Sequence, residues 1–213
     1  MKTEIYMVRH GQSVANAAGV MLGHVNLGLT ELGEKQALLC AEALRDVRFE
    51  AIYSSDLIRA YNTARPHAEL RGMQIVPIRG LREMYLGSWE GISVSDVCDS
   101  DEFKIGWKQN FGIFTPPCGE SAVDLAKRLD RTVSALAHFN PGKTILIVSH
   151  AAAIRTLWCR ISGLSPEEWC AAWPFPANAS YTKLEYDGKR LVPIEYSCDS
   201  HIKSASQGQK CVF

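Results

Sequence analysis

Thr144-Ile145-Leu146-Ile147-Val148-Ser149-His150 is the most apolar strand-like stretch of the chain. Its unbroken run has the length of a strand and no polar face. Such a segment belongs in the middle of a parallel sheet covered on both sides. A histidine stands where the run stops. The same design occurs near the N-terminus, where residues 4–8 are β-branched and aromatic and end abruptly at Arg9-His10-Gly11. Open α/β sheets place their ligand crevices beyond the C-terminal ends of such strands, so His10 and His150 are expected to face one another across a cleft.

Working outward, Ala51-Ile52-Tyr53 and Gln74 to Ile78 read as two further strands. Thr30 can cap a helix running to about Val47, with Leu32, Leu39 and Leu44 as its buried stripe. Ser54-Ser55-Asp56 offers caps for a helix through Leu57, Ala60, Tyr61, Ala64 and Leu70 to Gly72, which places Arg59 in the first turn. Ser121 and Asp124 form a capping box for a helix burying Leu125, Leu129, Val133 and Leu136, and Asn140-Pro141-Gly142 closes it. A helix through Ile154, Leu157, Trp158 and Ile161 follows His150, and Ser165-Pro166-Glu167-Glu168 opens a short one. Asp187-Gly188 is the turn of a hairpin whose second arm, carrying Pro193, lies at a sheet edge. No repeat or linker interrupts this alternation. It predicts one α/β domain over residues 1–213, with the weakly patterned residues 92–118 as a candidate substrate lid.

The 213 residues carry 23 Lys plus Arg against 23 Asp plus Glu. That balance argues against nucleic acid or an anionic membrane as a partner, so any anion site must be local. Seven cysteines, with no C-x-x-C pair and no metal-ligand spacing, read as reduced thiols, and no metal is expected. The apolar run at Ile5 to Val8 is too short for a signal segment, and no stretch approaches a membrane span. The expectation is a soluble, cytoplasmic protein; a homodimer is compatible with it.

Arg9, Arg59, His10, His150 and Glu83 all fall just beyond predicted strand ends. A phosphoryl group in transfer spreads negative charge over its oxygens, and planar guanidiniums bind such oxygens bidentately. A neutral imidazole can attack phosphorus without first losing a proton. A partly buried carboxylic acid can protonate the departing alkoxide, and Glu83 is the candidate. The second histidine would hold phosphoryl oxygens as a cation, helped by backbone N–H groups at the start of the helix after His150.

These residues sit in motifs that resemble those of the histidine phosphatase superfamily, also called phosphoglycerate mutase-like. Arg9-His10-Gly11-Gln12-Ser13 with Asn16 is similar to its R-H-G-x-S/T-x-x-N signature. Leu29-Thr30-Glu31-Leu32-Gly33 with Gln36-Ala37, the Ser54 to Ala64 segment around Arg59, Leu81-x-Glu83 with Gly87-x-x-Glu90-Gly91, Gly119-Glu120-Ser121 with Arg128, and Ser149-His150 follow in the family order. The resemblance covers most of residues 4–160. It implies a three-layer sandwich around a mainly parallel six-stranded sheet with helices on both faces. It further implies His10 as phosphorylated nucleophile, Arg9, Arg59 and His150 as phosphate pocket, and Glu83 as proton donor. Asn16, Leu22, Gly23 and Ala151 match positions that touch phosphate or substrate, and neither metal nor cofactor is implied. Two departures stand out. Ala151-Ala152 replaces the frequent Gly-Gly after the second histidine, and Asn26-Leu27-Gly28 replaces the usual D-x-P.

The favoured function is therefore hydrolysis of a small phosphorylated metabolite by a phosphatase resembling the α-ribazole or broad-specificity branches. A 2,3-bisphosphoglycerate-dependent mutase and a non-catalytic phospho-ligand binding module are the alternatives. His24, His67 and His138 read as surface or capping histidines, and His201 as part of an inert tail. Arg79 and Arg82 could hold a second anionic group or be solvated. Trp107, Phe111 and Phe114 have the spacing of a packed helical stripe and could equally form a lid.

Overall fold

The computed structural model describes residues 1–203. Its six strands are β1 (Thr3–Arg9), β2 (Ala51–Ser54), β3 (Ile75–Pro77), β4 (Thr144–Ser149), β5 (Tyr181–Tyr186) and β6 (Leu191–Cys198). They lie in the order β3-β2-β4-β1-β5-β6. The first four are mutually parallel, whereas β5 runs antiparallel to β1 and β6 antiparallel to β5. The sheet is thus mixed, because the last two strands form the hairpin predicted at Asp187-Gly188 and a hairpin can only add antiparallel arms. Asp187 Oδ1 accepts the N–H groups of Lys189 and Arg190 in that turn.

The apolar run at 144–149 is central, with β2 on one side and β1 on the other. Because strand side chains alternate, its residues divide between two cores. Ile5, Met7, Ile145 and Ile147 pack with Leu125, Leu129 and Val133 of α6 (Ala122–His138) and Ile154 and Leu157 of α7 (Ala151–Ile161). Tyr6, Val8, Leu146 and Val148 pack on the opposite face with α2 (Glu31–Ala43) and α3 (Ile58–Arg71). Both faces of β1 and β4 are covered, which is why neither strand shows alternation in its sequence.

Several local expectations are corrected. The predicted leucine stripe holds in part, with Leu44 at the C-cap in the core, Leu39 packed against it and Leu32 half-buried, but the fully buried face of helix α2 is Gly33, Gln36, Ala37, Cys40 and Ala41. The reason is a close backbone approach. A Cβ on Gly33 would lie 2.1 Å from the Gln12 carbonyl oxygen, and one on Gly11 would lie 2.4 Å from that of Gly33. Two glycines and Gln36, whose Oε1 accepts the Gln12 N–H, therefore press the loop after β1 against α2. Helix α3 starts at Ile58 with no cap from its own segment. Asn26 Oδ1 accepts the Ile58 N–H at 2.7 Å, so the departure from D-x-P supplies the missing cap from a distant loop.

Between β3 and α6 the chain forms α4 (Val94–Asp99), a π-helical turn (Glu102–Trp107) and α5 (Lys108–Asn110). Trp107 and Phe111 are buried and in edge contact, while Phe114 stacks on Trp89. A short α8 (Trp169–Ala172) precedes β5. His67, expected at the surface, is fully buried on α3, where Ala64 and Ala68 face the α2 side of the sheet. His201 is not in an inert tail, because its Nε2 meets the Ala179 carbonyl at 3.0 Å, its ring stacks on Tyr181, and neighbouring Ile202 is core. Cys211 lies outside the described residues, and the other six cysteines are free thiols. Among the described residues no helix is long and apolar enough to cross a membrane.

Candidate active site

A cleft opens where β1, β2 and β4 end and the loops after them diverge. It encloses about 100 Å³ and is lined by Arg9, His10, Asn16, Arg59, Glu83 and Ala151, with Leu22 and Gly23 on its wall. Eight of the nine residues singled out from the sequence therefore meet at one place. The ninth, His150, lies beneath the cleft, fully buried, with its ring centroid 5.1 Å from that of His10.

His10 is held by its own loop. Nδ1 lies 2.7 Å from the Gly11 carbonyl oxygen, and since a carbonyl can only accept, Nδ1 carries the proton. The lone pair is thereby left on Nε2. Burial, and then the positive charges of Arg59 and Arg9, push the ring well below its usual imidazole value, so it is neutral near pH 7. The loop is fixed in turn: the Gly11 N–H donates to Thr63 Oγ1, and Asn178 Nδ2 donates to the His10 carbonyl.

His150 caps the start of α7, and its Nε2 is 2.8 Å from Ser55 Oγ. Burial, followed by Arg59, also holds this ring well below the usual value. The imidazolium expected from the sequence is thus corrected to a neutral ring, because burial and the nearby Arg59 charge both disfavour its protonation. Its Nδ1 is buried without a partner.

Arg59 is 1 % exposed, and its two terminal nitrogens donate to the carbonyls of Val25 and Gly23 at 2.9 and 2.7 Å. Its Nε remains buried with no partner. Burial pulls its pKa down to about 10, which leaves it charged at neutral pH. Arg9 donates to the Pro176 carbonyl at 2.5 Å. Buried polar atoms normally find partners, so Arg59 Nε and His150 Nδ1, both beside the cleft, mark a place prepared for a polar ligand.

Glu83 occupies part of the nest foreseen for a phosphate. Its carboxylate accepts the N–H groups of Ala152 and Ala153 at the start of α7, at 3.1 and 3.0 Å, as well as that of Met84. The Ala151 N–H, at the first helical position, has no intrahelical acceptor and remains for a ligand. Asn16 uses Oδ1 to cap α1 (Val14–Ala18), accepting from the Ser13 N–H and hydroxyl, and the residue lines the cleft. Glu90 Oε1 accepts the His24 and Leu86 N–H groups, tying the Gly23 loop to the acid loop, and His24 Nε2 contacts the Glu83 carbonyl at 2.9 Å. His24 is therefore a part of the site's scaffold and not an idle surface histidine.

Arg82 is paired in bidentate fashion with Asp56, at 2.7 and 2.6 Å, and neither it nor Arg79 lines the cleft. Trp107 lines the cleft while packing in the core, so the aromatic stripe is both packing and wall. Ser55 and Asn178 escaped the sequence reading. Ser55 looked like a helix cap, and Asn178 lies 168 residues from the carbonyl it contacts. No local pattern marks either.

Known proteins resemble this chain in sequence and in fold. Residues 5–199 match the histidine phosphatase superfamily (branch 1). The glucosyl-3-phosphoglycerate phosphatase of Mycobacterium tuberculosis is 32% identical over 189 residues, covering 84% of each chain. The adenosylcobalamin/alpha-ribazole phosphatase of Salmonella typhimurium is 34% identical over 158 residues, covering 74% of this chain and 78% of its own. The solved structure of Bacillus stearothermophilus YhfR superposes with a TM-score of 0.87 at 28% identity, over 94% of this chain and all of its own.

Proposed function

The chain belongs to the histidine phosphatase superfamily, branch 1, and from that premise we propose that it works through a phosphohistidine formed on His10. The protein hydrolyses phosphate monoesters. The observation that carries the assignment is the state of the His10 ring: neutral, with Nδ1–H tied to Gly11 and the lone pair on Nε2, between two arginines at the cleft floor.

In the first step Nε2 bonds to phosphorus as the bond from phosphorus to the ester oxygen breaks. Glu83 gives its proton to that departing oxygen, so an alcohol leaves and not an alkoxide. Arg9, the Nε of Arg59, the Nδ1 of His150 and the Ala151 N–H hold the phosphoryl oxygens. With Ser55 donating to Nε2 of His150, the proton of that ring sits on Nδ1. In the second step water attacks phosphorus, Glu83 takes its proton, and His10 and inorganic phosphate are released. The arginines supply the positive charge that a metal would otherwise bring, so the reaction needs none. Residues 92–118 cover one side of the cleft through Val94 and Trp107, and act as the lid against which the alcohol part of a small phosphorylated metabolite rests. The Arg155 guanidinium of α7 lies over the Phe111 ring of this segment, which supports reading the segment as part of one domain with the rest of the described residues, and the cytoplasm suits a protein with free thiols.

Brief incubation with ³²P-labelled substrate, followed by quenching, tests the assignment. Wild type is expected to carry a base-stable, acid-labile label and His10→Ala none, with turnover reduced by at least about 10⁴-fold. Label retained on His10→Ala would transfer the nucleophile to another residue.

A further inference from the structure

The cleft above the phosphate floor is markedly uncharged. Its wall is made by Val20, Met21, Leu22, Leu86, Trp107 and Phe175. We propose that the preferred ester carries an uncharged, largely apolar alcohol group, and that esters bearing a carboxylate near the phosphate are poor substrates. The proposal rests on the phosphatase reading above and specifies the substrate class of the same site.

A carboxylate entering the cleft needs a cation. His24 and Arg79 do not line the cleft, His24 being held on the Glu83 carbonyl, and Arg9, Arg59, Arg82, Arg128 and Arg155 are committed elsewhere. Arg9 and Arg59 line the floor, where the phosphoryl group must sit. Arg82 is closed on Asp56. Arg128 is closed on Glu120 and also donates to the carbonyls of Gly80, Arg82 and Glu83. Arg155 donates to the carbonyls of Trp173, Trp169 and Cys170, with its guanidinium carbon 4.6 Å from the ring centres of both Phe111 and Phe175. Lys104 and Lys108 border a second groove that shares Trp107 and Phe175 with the cleft, and neither lysine lines the cleft.

The acidic side is equally occupied. Glu83, the one acid among the described lining residues, already accepts the N–H groups of Met84, Ala152 and Ala153, Glu90 accepts from His24 and Leu86, and Glu120 is paired with Arg128, so an ammonium group finds no uncommitted acid among them either. In phosphoserine and 3-phosphoglycerate the carboxylate lies within a few bonds of the ester oxygen. With the phosphate seated at the floor, that carboxylate must fall inside the apolar collar, where it loses water without gaining a partner. An alkyl or aryl group in the same place releases water from apolar surface on both sides.

The test is kcat/KM of the full chain for straight-chain alkyl phosphates from ethyl to hexyl, beside phosphoserine and 3-phosphoglycerate. We expect a rise of about fourfold per methylene until the collar is filled, and hexyl phosphate favoured over either carboxylate ester by at least about 100-fold. Val20→Lys, which puts a cation on the half-buried wall, should shrink that ratio by about tenfold or more, with thermal melting used to confirm that the variant is folded. A series flat in chain length, carboxylate esters turned over as well as hexyl phosphate, or an unchanged ratio in folded Val20→Lys would overturn the inference and leave the phosphatase reading standing. Phosphate release from none of the esters would instead overturn the phosphatase reading, and this inference with it.

Discussion

At the floor of the cleft, Arg9, His10 and His150 come from the ends of two adjacent strands and Arg59 from the helix after a third, and polar atoms are met by named partners or held open. The wall is drawn from the loop after α1, the acid loop, the π-helical turn and the segment before β5, and is almost wholly apolar. On the proposed reading the floor meets the phosphate that every ester shares, and the wall meets only the alcohol, so the wall would decide which ester stays long enough to react. Arg59 and Arg9 reach the wall loops through backbone carbonyls, of Gly23, Val25 and Pro176, so the wall side chains can change while those floor contacts are kept.

The largest effect that would break this division is at Glu83. Glu83→Gln should slow phosphorylation of the enzyme by alkyl phosphates on the order of 10²–10⁴-fold, but by nitrophenyl phosphate much less, because a nitrophenolate leaves unaided. Single-turnover rates with both leaving groups measure it. The amide also turns an NH₂ toward one of the N–H groups that Glu83 now accepts, so melting should show a loss of about 1–2 kcal/mol. Equal losses for the two esters would make Glu83 a floor strut and not a proton donor.

A smaller effect is expected on the wall. Val94→Ala trims the cleft at the start of α4 and should lower kcat/KM for hexyl phosphate about three- to tenfold, with little change for ethyl phosphate. Comparable losses for both esters would mean that the segment organises the floor instead of selecting the alcohol.

His67 sharpens the comparison from outside the cleft. Both its ring nitrogens are buried without partners, and burial, with Arg71 and His201 nearby, pushes its pKa down to about 3. The unfolded chain therefore binds a proton that the folded one refuses. The stability is present above the unfolded value near 6.5 and declines, by about 1.4 kcal/mol per pH unit for each such histidine, as pH falls toward 3. His10 and His150 add losses of the same sign. His67→Leu should leave turnover unchanged and flatten the acid limb by one proton, as urea unfolding between pH 4 and 7 would show. The smallest effect is none at all: turnover should be unaltered by EDTA. Loss on chelation that zinc or magnesium restores would assign the positive charge to a metal.

Sequence alone determined the central strands, the hairpin, the capped helix at Ser121 and most of the side chains that gather at the cleft. Those features depend on short-range physics: unbroken apolar runs, caps within three residues, and side chains delivered at strand ends. It placed Leu39 and Leu44 of the α2 region correctly but missed the buried Gly33 and Gln36, because a close backbone approach between Gly11 and Gly33 involves two segments that no local periodicity links. It placed His67 at the surface for the same reason, since an uncapped histidine on a helix does not say which face meets the sheet. Only the tertiary structure decided that Asn26 caps α3, that Ser55 supports His150, that Glu83 sits on the N–H groups of α7, and that dispersed apolar side chains close into one wall. Each of these depends on residues far apart in the chain becoming neighbours. Hydrogen bonding and burial are properties of such neighbourhoods, and residue order carries them only where the partners are close in sequence.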